Sequence, residues 1–227
     1  MRAGLSVIIP TLDAGHELPA CFAALFEGVQ AGLIREVIVS DGGSRDATRE
    51  IAEETGAVIV TGPPSRGAQL RRGVVVAGGA WLLVLHADTQ LPEGWAEVVR
   101  ARMETGGAAA FRLRFDADGA VPRFVAGWAN LRTAVFGLPY GDQALLVSRR
   151  DYDAAGGYPD IPLMEDVALA RALGGRIALL PLAVTTSAAR YRGEGWLWRG
   201  ARNLWLLVRY LCGADPARLA ARYRRHG

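Results

Sequence analysis

The chain has 227 residues, of which 51% are hydrophobic and 22% are charged, with a formal net charge of +3. This length fits one domain, with at most a short appendage, that can bury a sizeable core. Cys21 and Cys212 are isolated, which excludes a disulfide framework and a cysteine-based metal site and predicts a reducing compartment. No signal peptide is recognisable and the longest apolar runs are too short to span a bilayer, so we expect a cytoplasmic protein, either soluble or peripheral.

Short apolar runs alternate with helix-like segments through the first half of the chain. The predicted strands, buried on both faces, are Leu5 to Ile9, Glu36 to Ser40, Ala57 to Val60 and Trp81 to Leu85. The predicted helices between them are His16 to Leu33, Arg45 to Thr55 and Gly67 to Gly78, and Ser44, Asp46 and Ser65 are their start signals. Strand and helix in alternation predict an α/β fold with a parallel central sheet.

After Glu104 the rhythm changes. The stretch AAAFRLRFDADG alternates apolar and charged residues, which predicts a strand with one face in water. A helix over Val121 to Val135, a strand over Ala144 to Ser148 and a helix beginning near Met164 follow. The last predicted helix, Trp196 to Cys212, is rich in tryptophan and arginine.

Three aspartates, Asp13, Asp41 and Asp88, each follow a predicted strand. In a parallel sheet the ligand site lies at the carboxyl ends of the strands, so these side chains are expected on one rim. Each alone is an ordinary turn former or helix cap; together they predict a site for a divalent cation and a nucleotide diphosphate. His86 stands two residues before Asp88, hence on the same face of an extended chain, and is either a second ligand or a packed histidine. Mn²⁺ tolerates an imidazole ligand better than Mg²⁺ does.

The segments VIIPTLDAG, VIVSDGGSRD, RGAQLRRG, LHADT and LMEDVAL occur in the order and spacing of family 2 glycosyltransferases. The resemblance covers roughly residues 4 to 185 and is strongest to compact bacterial members that share HADT, YGDQ and PLMEDV. It implies the GT-A fold, a Rossmann-like, mostly parallel central sheet flanked by helices. It further implies a metal-dependent, inverting transfer of a sugar from a nucleotide-diphosphate donor, UDP favoured over GDP, to an acceptor hydroxyl.

The same resemblance assigns roles in donor binding. Pro10, Thr11 and Asp13 would line the base and ribose, and Asp41 would bond to the base. Gly42 and Gly43 would let the backbone approach the ligand closely, and Arg66 would approach the nucleotide. Asp88 takes the metal position of the family's DxD motif, in which His86 replaces the first acid, so the metal is expected to be Mn²⁺ or Mg²⁺.

The later motifs are expected to supply the chemistry. By resemblance Asp166 is the base that takes the proton of the attacking hydroxyl, with Glu165 as its neighbour. Adjacent helix positions lie about 100° apart, so only one of the two is expected to face the reaction. Both acids would also suit a helix N-terminus for structural reasons alone. Asp142 and Gln143 are candidate acceptor residues, although Gly-Asp is also an ordinary turn.

The last part of the chain is strongly basic, with nine arginines against Glu194 and Asp215 between Arg190 and Gly227. Its tryptophans and arginines are typical of a surface that lies against lipid headgroups, as a lipid-linked acceptor would require. The alternative is that Trp196, Trp198 and Trp205 pack on the catalytic domain or on a second subunit while the arginines stay solvated. Arg199 and Arg202 are candidates for contact with the donor diphosphate. No nucleic-acid motif is recognisable, and no nucleic-acid partner is expected.

We therefore expect a glycosyltransferase domain over residues 1–190, with a donor half to about 104 and an acceptor half from about 105, and a helical extension over 191–227. Two rival functions remain at this point. A nucleotidyltransferase would have a similar core, but its glycine-rich basic loop is missing after the first strand. A non-catalytic nucleotide-sugar-binding or membrane-surface adaptor would bind the donor without turnover.

Overall fold

The computed structural model describes residues 4–174 and 177–224. Residues 1–3, 175–176 and 225–227 of the predicted domains lie outside the described residues. The strands are β1 (Leu5–Thr11), β2 (Ile34–Asp41), β3 (Val58–Thr61), β4 (Trp81–Val84), β5 (Thr89–Gln90), β6 (Ala109–Phe115), β7 (Leu145–Ser148) and β8 (Ala178–Thr186). The helices are α1 (Leu18–Gln30), α2 (Thr48–Glu54), α3 (Arg66–Val76), α4 (Trp95–Thr105), α5 (Ala120–Phe136), α6 (Arg149–Ala154), α7 (Glu165–Ala172), α8 (Ala189–Glu194), α9 (Trp196–Leu211) and α10 (Pro216–Arg224).

The strands of the described chain form one sheet in the order β3-β2-β1-β4-β7-β6-β8-β5. The first four neighbours run parallel, as the sequence predicts for βαβ units. β7 is antiparallel to both β4 and β6, while β6 and β8 are parallel again. The sheet is therefore mixed, and its parallel half is the half in which the strands and helices alternate.

Both faces of the central strands are buried. Val7 and Ile9 of β1 belong to one hydrophobic cluster, whereas Ile8 belongs to the cluster on the other face. β4 repeats this alternation, with Leu83 on the first face and Leu82 on the second. This burial explains why these strands read as continuous apolar runs rather than as alternating patterns.

Two helix starts differ in detail from the sequence prediction. α2 begins at Thr48 rather than near Arg45, and Asp46 accepts a hydrogen bond of 3.1 Å from the Thr48 amide. Ser65 precedes α3, but its hydroxyl lies 3.3 Å from the Asp160 carboxylate instead of capping the helix. The polar residues Asp46 and Ser65 therefore indicated where the helices begin, but not which groups their side chains bond to.

The C-terminal helices pack on the rest of the chain. α9 lies against α5, and Leu206 and Leu207 of α9 share a hydrophobic cluster with Met164 and Val167 of the α7 region. Trp196 packs edge-on against Phe115, at a ring-centroid distance of 5.0 Å, as the packing alternative predicts. No helix among the described residues is long and apolar enough to cross a membrane.

Candidate active site

A cleft lies beyond the ends of β4 and β8, between the C-terminal helices and the start of α7. Its empty volume is about 800 Å³ when the space at its open mouth is included. Residues from distant parts of the sequence line it, and many are charged or titratable: Arg66, His86, Asp88, Asp142, Glu165, Asp166, Arg190 and Arg199. The fold therefore gathers most of the candidate catalytic and metal-binding residues in one place.

The predicted base and ribose residues form a neighbouring rim at the ends of β1 and β2. The Thr11 hydroxyl donates to Asp41 at 3.1 Å, and the Gly42 amide donates to the Thr11 carbonyl at 2.8 Å. Asp13, at φ 50°, accepts a hydrogen bond from the Arg45 amide at 2.8 Å, and its own amide donates to Ser44. This rim adjoins β4 in the sheet but does not line the cleft itself.

Asp41 is fully buried, and its carboxylate organises the loop that follows β2. The Gly43 and Ser44 amides donate to Oδ2 at 3.0 and 2.9 Å, and the Thr11 and Ser44 hydroxyls donate to Oδ1. Burial alone would raise the pKa of Asp41, but the hydrogen bonds from Ser44, Gly43 and Thr11 outweigh it and lower the pKa. Asp41 therefore holds the loop after β2 in place through these hydrogen bonds. A direct bond from Asp41 to a nucleotide base stays a prediction.

Asp41→Asn is expected to destabilise the chain by about 2–3 kcal/mol at pH 7.5, because an amide donor then faces groups that are donors themselves. The pKa of Asp41 is lowered in the folded state, so the charged form stabilises the fold above the unfolded pKa and that stabilisation is lost as the pH falls. Urea unfolding measures this effect. Asp118→Asn, at an exposed position before α5, is the control; an equal loss there would contradict the assignment.

Gln69, which the sequence analysis did not single out, ties the rim together. Its side-chain amide donates to the carbonyls of Thr11 and Ser40 at 2.7 and 2.9 Å, so it links the ends of β1 and β2 from α3. Gly67 nearby allows close packing, since a Cβ there would lie 2.2 Å from the Pro159 carbonyl oxygen. The RGAQ segment therefore has a structural role besides presenting Arg66.

Arg66 stands at the centre of the cleft, between a histidine and a buried glutamate. Its Nη2 lies 2.9 Å from Nε2 of His86, and its Nε lies 3.6 Å from Oε1 of Glu165. Burial lowers the pKa of His86 well below its usual value, and the charges of Arg66 and Arg190 lower it further. His86 is therefore neutral, and its ring accepts a hydrogen bond from Arg66.

This contact bears on the predicted metal site. The His86 lone pair that a cation would need faces Arg66, and the backbone of Gly141 closes on the same ring, since a Cβ at Gly141 would lie 2.3 Å from Nε2. The geometry therefore favours the packing alternative, in which His86 is a partner of Arg66, and its role as a metal ligand stays a prediction.

Asp88 fits a cation better. Its carboxylate lines the cleft, and the one contact to it on the described side chains is a distant 3.5 Å approach of the Thr89 hydroxyl. The described residues hold no group of three or more His, Cys, Asp or Glu side chains arranged for a metal. One free carboxylate suits Mg²⁺ or Mn²⁺, because these ions take the remaining oxygens from substrate phosphates and water.

Glu165 and Asp166 open α7, as the sequence predicts, but in different surroundings. Met164, at φ 67°, turns the chain so that the helix begins abruptly at Glu165. Glu165 is buried with its Oε2 unpaired, and burial raises its pKa against the lowering effect of Arg66. Asp166 is partly exposed, and it accepts hydrogen bonds from the amides of Gly141 at 2.9 Å and Val167 at 2.7 Å. Both line the cleft, but Asp166 is the more exposed and Glu165 faces Arg66, so the expectation that only one of them faces the reaction stays a prediction.

Asp142 and Gln143 lie in the 3₁₀ turn Gly141–Gln143, and they have different environments. Asp142 lines the cleft, and its buried Oδ1 has no hydrogen-bond partner. Gln143 is fully buried: its Oε1 accepts from Thr133 at 2.7 Å, and its Nε2 donates to the Phe111 carbonyl at 3.1 Å. The amide is thus committed to internal bonds, which corrects the prediction of Gln143 as an acceptor residue.

Burial raises the pKa of Asp142 to about 6, with Asp88 and Asp166 raising it further and Arg132 opposing them. A raised folded pKa means that stability is complete below the unfolded pKa and is lost as the pH rises toward 6. Asp142→Asn is therefore expected to stabilise the chain by about 1–2 kcal/mol at pH 7.5 and to flatten its pH dependence between about 4 and 6. Thermal melts across this range measure it, with the exposed Asp118→Asn as control; destabilisation at pH 7.5 would contradict the account.

The two candidate phosphate-binding arginines of α9 differ in position. Arg199 is buried, lines the cleft, pairs with Glu194 and donates to the Tyr223 hydroxyl at 2.8 Å. Arg202 lies 2.5 Å from the other oxygen of Glu194. Glu194 therefore holds both guanidinium groups in place, and of the two Arg199 is the one that borders the cleft.

Arg190, at the second residue of α8, is a cleft residue that the sequence analysis did not select. It is exposed and follows β8 closely, and the Ser187 amide of the same segment donates to the Asp88 carbonyl at 3.3 Å. Its position near Asp88 depends on this contact between segments about a hundred residues apart. The sequence offered one weak signal, because Arg190 begins the basic C-terminal stretch.

Comparison with known proteins identifies the family and the fold of the chain. The family model described as Glycosyl transferase family 2 matches residues 6–135, more than half of the chain. The chain therefore belongs to glycosyl transferase family 2. The resemblance seen in the motifs is confirmed.

Individual relatives share about a third of their residues with this chain over the matched segments. A TPR repeat-containing protein of Synechococcus elongatus is 35% identical over 114 residues, and a PGL/p-HBAD biosynthesis glycosyltransferase of Mycobacterium bovis is 36% identical over 95. These matches cover 49% and 39% of this chain but 27% and 36% of the relatives, so the chain spans well under half of their length. An uncharacterized glycosyltransferase of M. bovis is 29% identical over 195 residues, 79% of this chain and 84% of the relative.

Solved structures show the GT-A fold. Staphylococcus aureus TarS 1–349 in complex with UDP superimposes with a TM-score of 0.64 at 16% identity, over 81% of this chain and 60% of TarS. Glucosyl-3-phosphoglycerate synthase of Mycobacterium tuberculosis with Mn²⁺, UDP and phosphoglyceric acid gives 0.59 at 20% identity, over 93% and 79%. The same synthase with Mg²⁺ and UDP gives 0.56 at 20% identity, over 81% and 69%.

Proposed function

We propose that this chain is a metal-dependent, inverting glycosyltransferase that moves a sugar from a nucleotide-diphosphate donor to an acceptor hydroxyl. The observation that carries the proposal is the cleft, where an available carboxylate, Asp88, faces a set of arginines and the acidic start of α7. Family membership supports transfer chemistry, and the UDP complexes of TarS and the synthase support UDP over GDP.

In this proposal the nucleoside lies along the rim formed by Pro10, Thr11, Asp13 and the loop after β2. Gly42 and Gly43 keep this loop free of side chains. The diphosphate then points into the cleft toward Asp88, where Arg66, Arg190 and Arg199 supply positive charge. Arg202 supports Arg199 through their shared partner Glu194.

Asp88 would hold the metal, with Mn²⁺ and Mg²⁺ both compatible with a single carboxylate and substrate oxygens. The bound cation would offset the negative charge that develops on the departing nucleotide diphosphate. Complexes of the synthase with each ion support a divalent metal without distinguishing the two.

Asp166 would act as the base that accepts the proton of the attacking hydroxyl. Its two amide hydrogen bonds fix the carboxylate at the cleft wall, and the start of α7 stabilises its negative charge. Attack from the side opposite the leaving group inverts the anomeric centre. Glu165 would hold Arg66, and Asp142 would contact the acceptor.

The wider setting stays a set of predictions. We propose a transferase domain over residues 1–190 and an extension over 191–227. The extension contributes to the active site, because cleft residues such as Arg199 and Tyr223 belong to it. A lipid-linked acceptor and a cytoplasmic location at the inner membrane face are likewise proposed.

A donor screen tests the function and separates it from its rivals. The chain is incubated with UDP-glucose, UDP-N-acetylglucosamine or GDP-mannose and Mn²⁺, and the released nucleotide is analysed. Release of UDP from a UDP-sugar is the expected result, and the anomeric configuration of the product then tests inversion. Conversion of the UDP-sugar and added pyrophosphate to UTP and sugar 1-phosphate would indicate a nucleotidyltransferase, whereas binding without any release would indicate the adaptor.

A further inference from the structure

One face of α5 is apolar and open to solvent. The exposed residues recur at helical spacing along its length, so they form a continuous stripe: Val121, Phe124, Trp128, Leu131 and Val135. Phe124 is 68% exposed and Val135 is 62% exposed, although large apolar side chains are normally buried. The sequence predicted a helix here but not that this stripe stays exposed.

α9 carries a second stripe of the same kind. Its exposed residues are Leu197, Trp198, Leu204, Trp205, Val208 and Leu211. Leu197 and Trp198 are each 67% exposed, while Leu206 and Leu207 on the opposite side are buried in the core. The helix therefore has two apolar faces, one packed against the core and one exposed to solvent.

The two stripes meet, because α5 and α9 pack against each other. Trp128 of the first stripe and Leu204 of the second line a common crevice between the helices. The crevice continues inward to Tyr140 and Asp142, which also line the cleft. We refer to the two stripes together as the α5/α9 face; it is a single apolar surface that adjoins the candidate active site.

Exposed arginines border this face. Arg123 of α5, Arg209 of α9 and Arg222 of α10 are exposed, whereas Arg132, Arg199 and Arg202 point inward, and neither α5 nor α9 contains an aspartate or glutamate. Trp205 lies within cation–π distance of two arginines, with the guanidinium carbons of Arg209 and Arg222 at 5.7 and 4.7 Å from its ring centroid. Apolar side chains bordered by tryptophan and arginine match the interfacial region of a bilayer that contains anionic lipids.

We propose that the α5/α9 face docks onto an anionic lipid bilayer and turns the crevice toward the membrane. A second copy of the chain suits the surface less well, since a symmetric contact would bring the arginines of both copies together. The proposal goes beyond the proposed transfer reaction, because it concerns where the chain binds and not what it transfers.

Vesicle co-sedimentation tests the docking. The full chain is mixed with vesicles of phosphatidylglycerol and phosphatidylcholine, or of phosphatidylcholine alone. Phe124→Glu and Trp198→Glu place a carboxylate on each stripe, and Phe26→Glu, at a position 59% exposed on α1, is the matched control. UDP binding and circular dichroism are recorded for every variant, so that a folding defect or a failure of the proposed transferase is detected separately.

We expect the wild type and Phe26→Glu to bind the anionic vesicles, with at least tenfold weaker binding to the neutral ones. Phe124→Glu and Trp198→Glu are each expected to weaken the binding at least tenfold while leaving UDP binding unchanged. Absence of vesicle binding by the wild type would overturn the proposal, as would an equal loss in Phe26→Glu. A stable dimer that Trp198→Glu dissociates would also overturn it, since the face would then be covered by a second copy.

Discussion

Asp166→Asn is expected to lower the turnover number about a thousandfold, a magnitude typical of the loss of a general base. Asparagine has nearly the same shape, and its oxygen can still accept a hydrogen bond from the Gly141 or Val167 amide that now fixes the carboxylate. The amide cannot accept the proton of an attacking hydroxyl. UDP affinity is expected to stay within about twofold of wild type, because the nucleotide-binding groups lie elsewhere. Steady-state kinetics with the best donor of the screen, together with a UDP titration, measures both quantities.

Glu165→Gln is the matched neighbour for this experiment. Glu165 faces Arg66 across 3.6 Å and is buried, so its replacement is expected to disturb Arg66 and weaken donor binding more than turnover. Burial raises the pKa of Glu165, which also makes it a rival base near neutral pH. If Glu165→Gln lost the turnover and Asp166→Asn kept it, the base would be Glu165 and the present assignment would be wrong.

Asp88→Ala is expected to remove the metal dependence of nucleotide binding. In the presence of Mn²⁺ the UDP affinity is expected to fall at least tenfold, about 1.4 kcal/mol, because Asp88 is the carboxylate proposed to hold the cation against the diphosphate. Mn²⁺ is then expected to stimulate neither binding nor sugar transfer. Calorimetric titration of UDP at fixed Mn²⁺ concentrations measures the effect.

His86→Gln separates the two views of the histidine. The contact between His86 and Arg66 predicts that this variant shifts Arg66 and reduces donor affinity while keeping its response to Mn²⁺. If His86→Gln lost the Mn²⁺ response as completely as Asp88→Ala, His86 would be a metal ligand and Arg66 would have to move aside when the donor binds.

The sequence predicted most of the elements and the edge of the sheet where the site lies. Continuous apolar runs identified the parallel strands, because both faces of β1 and β4 are buried. Among the residues that follow these predicted strands, Thr11 lies on the rim and Asp88 lines the adjoining cleft. The family resemblance implied the GT-A architecture, and the solved structures of TarS and the synthase agree with it.

What the sequence could not predict depends on contacts between distant segments. The sequence left His86 as a ligand or a packed histidine, and the contacts that favour packing come from Arg66 and from Gly141, 55 residues further along the chain. Gln143 looked available beside Asp142, but it is bonded to Thr133 and Phe111 in the interior. Periodicity alone could not reveal that α5 leaves an apolar stripe uncovered, since the same pattern normally marks a core-facing helix.

Calorimetric titration of UDP into the wild-type chain, with and without Mn²⁺ and with GDP in parallel, tests the central claim most directly. A nucleotide-diphosphate transferase with its metal at Asp88 predicts UDP binding that Mn²⁺ strengthens, with GDP binding more weakly. Binding of neither nucleotide under any of these conditions would contradict the account, because the rim and the cleft would then have no donor to hold.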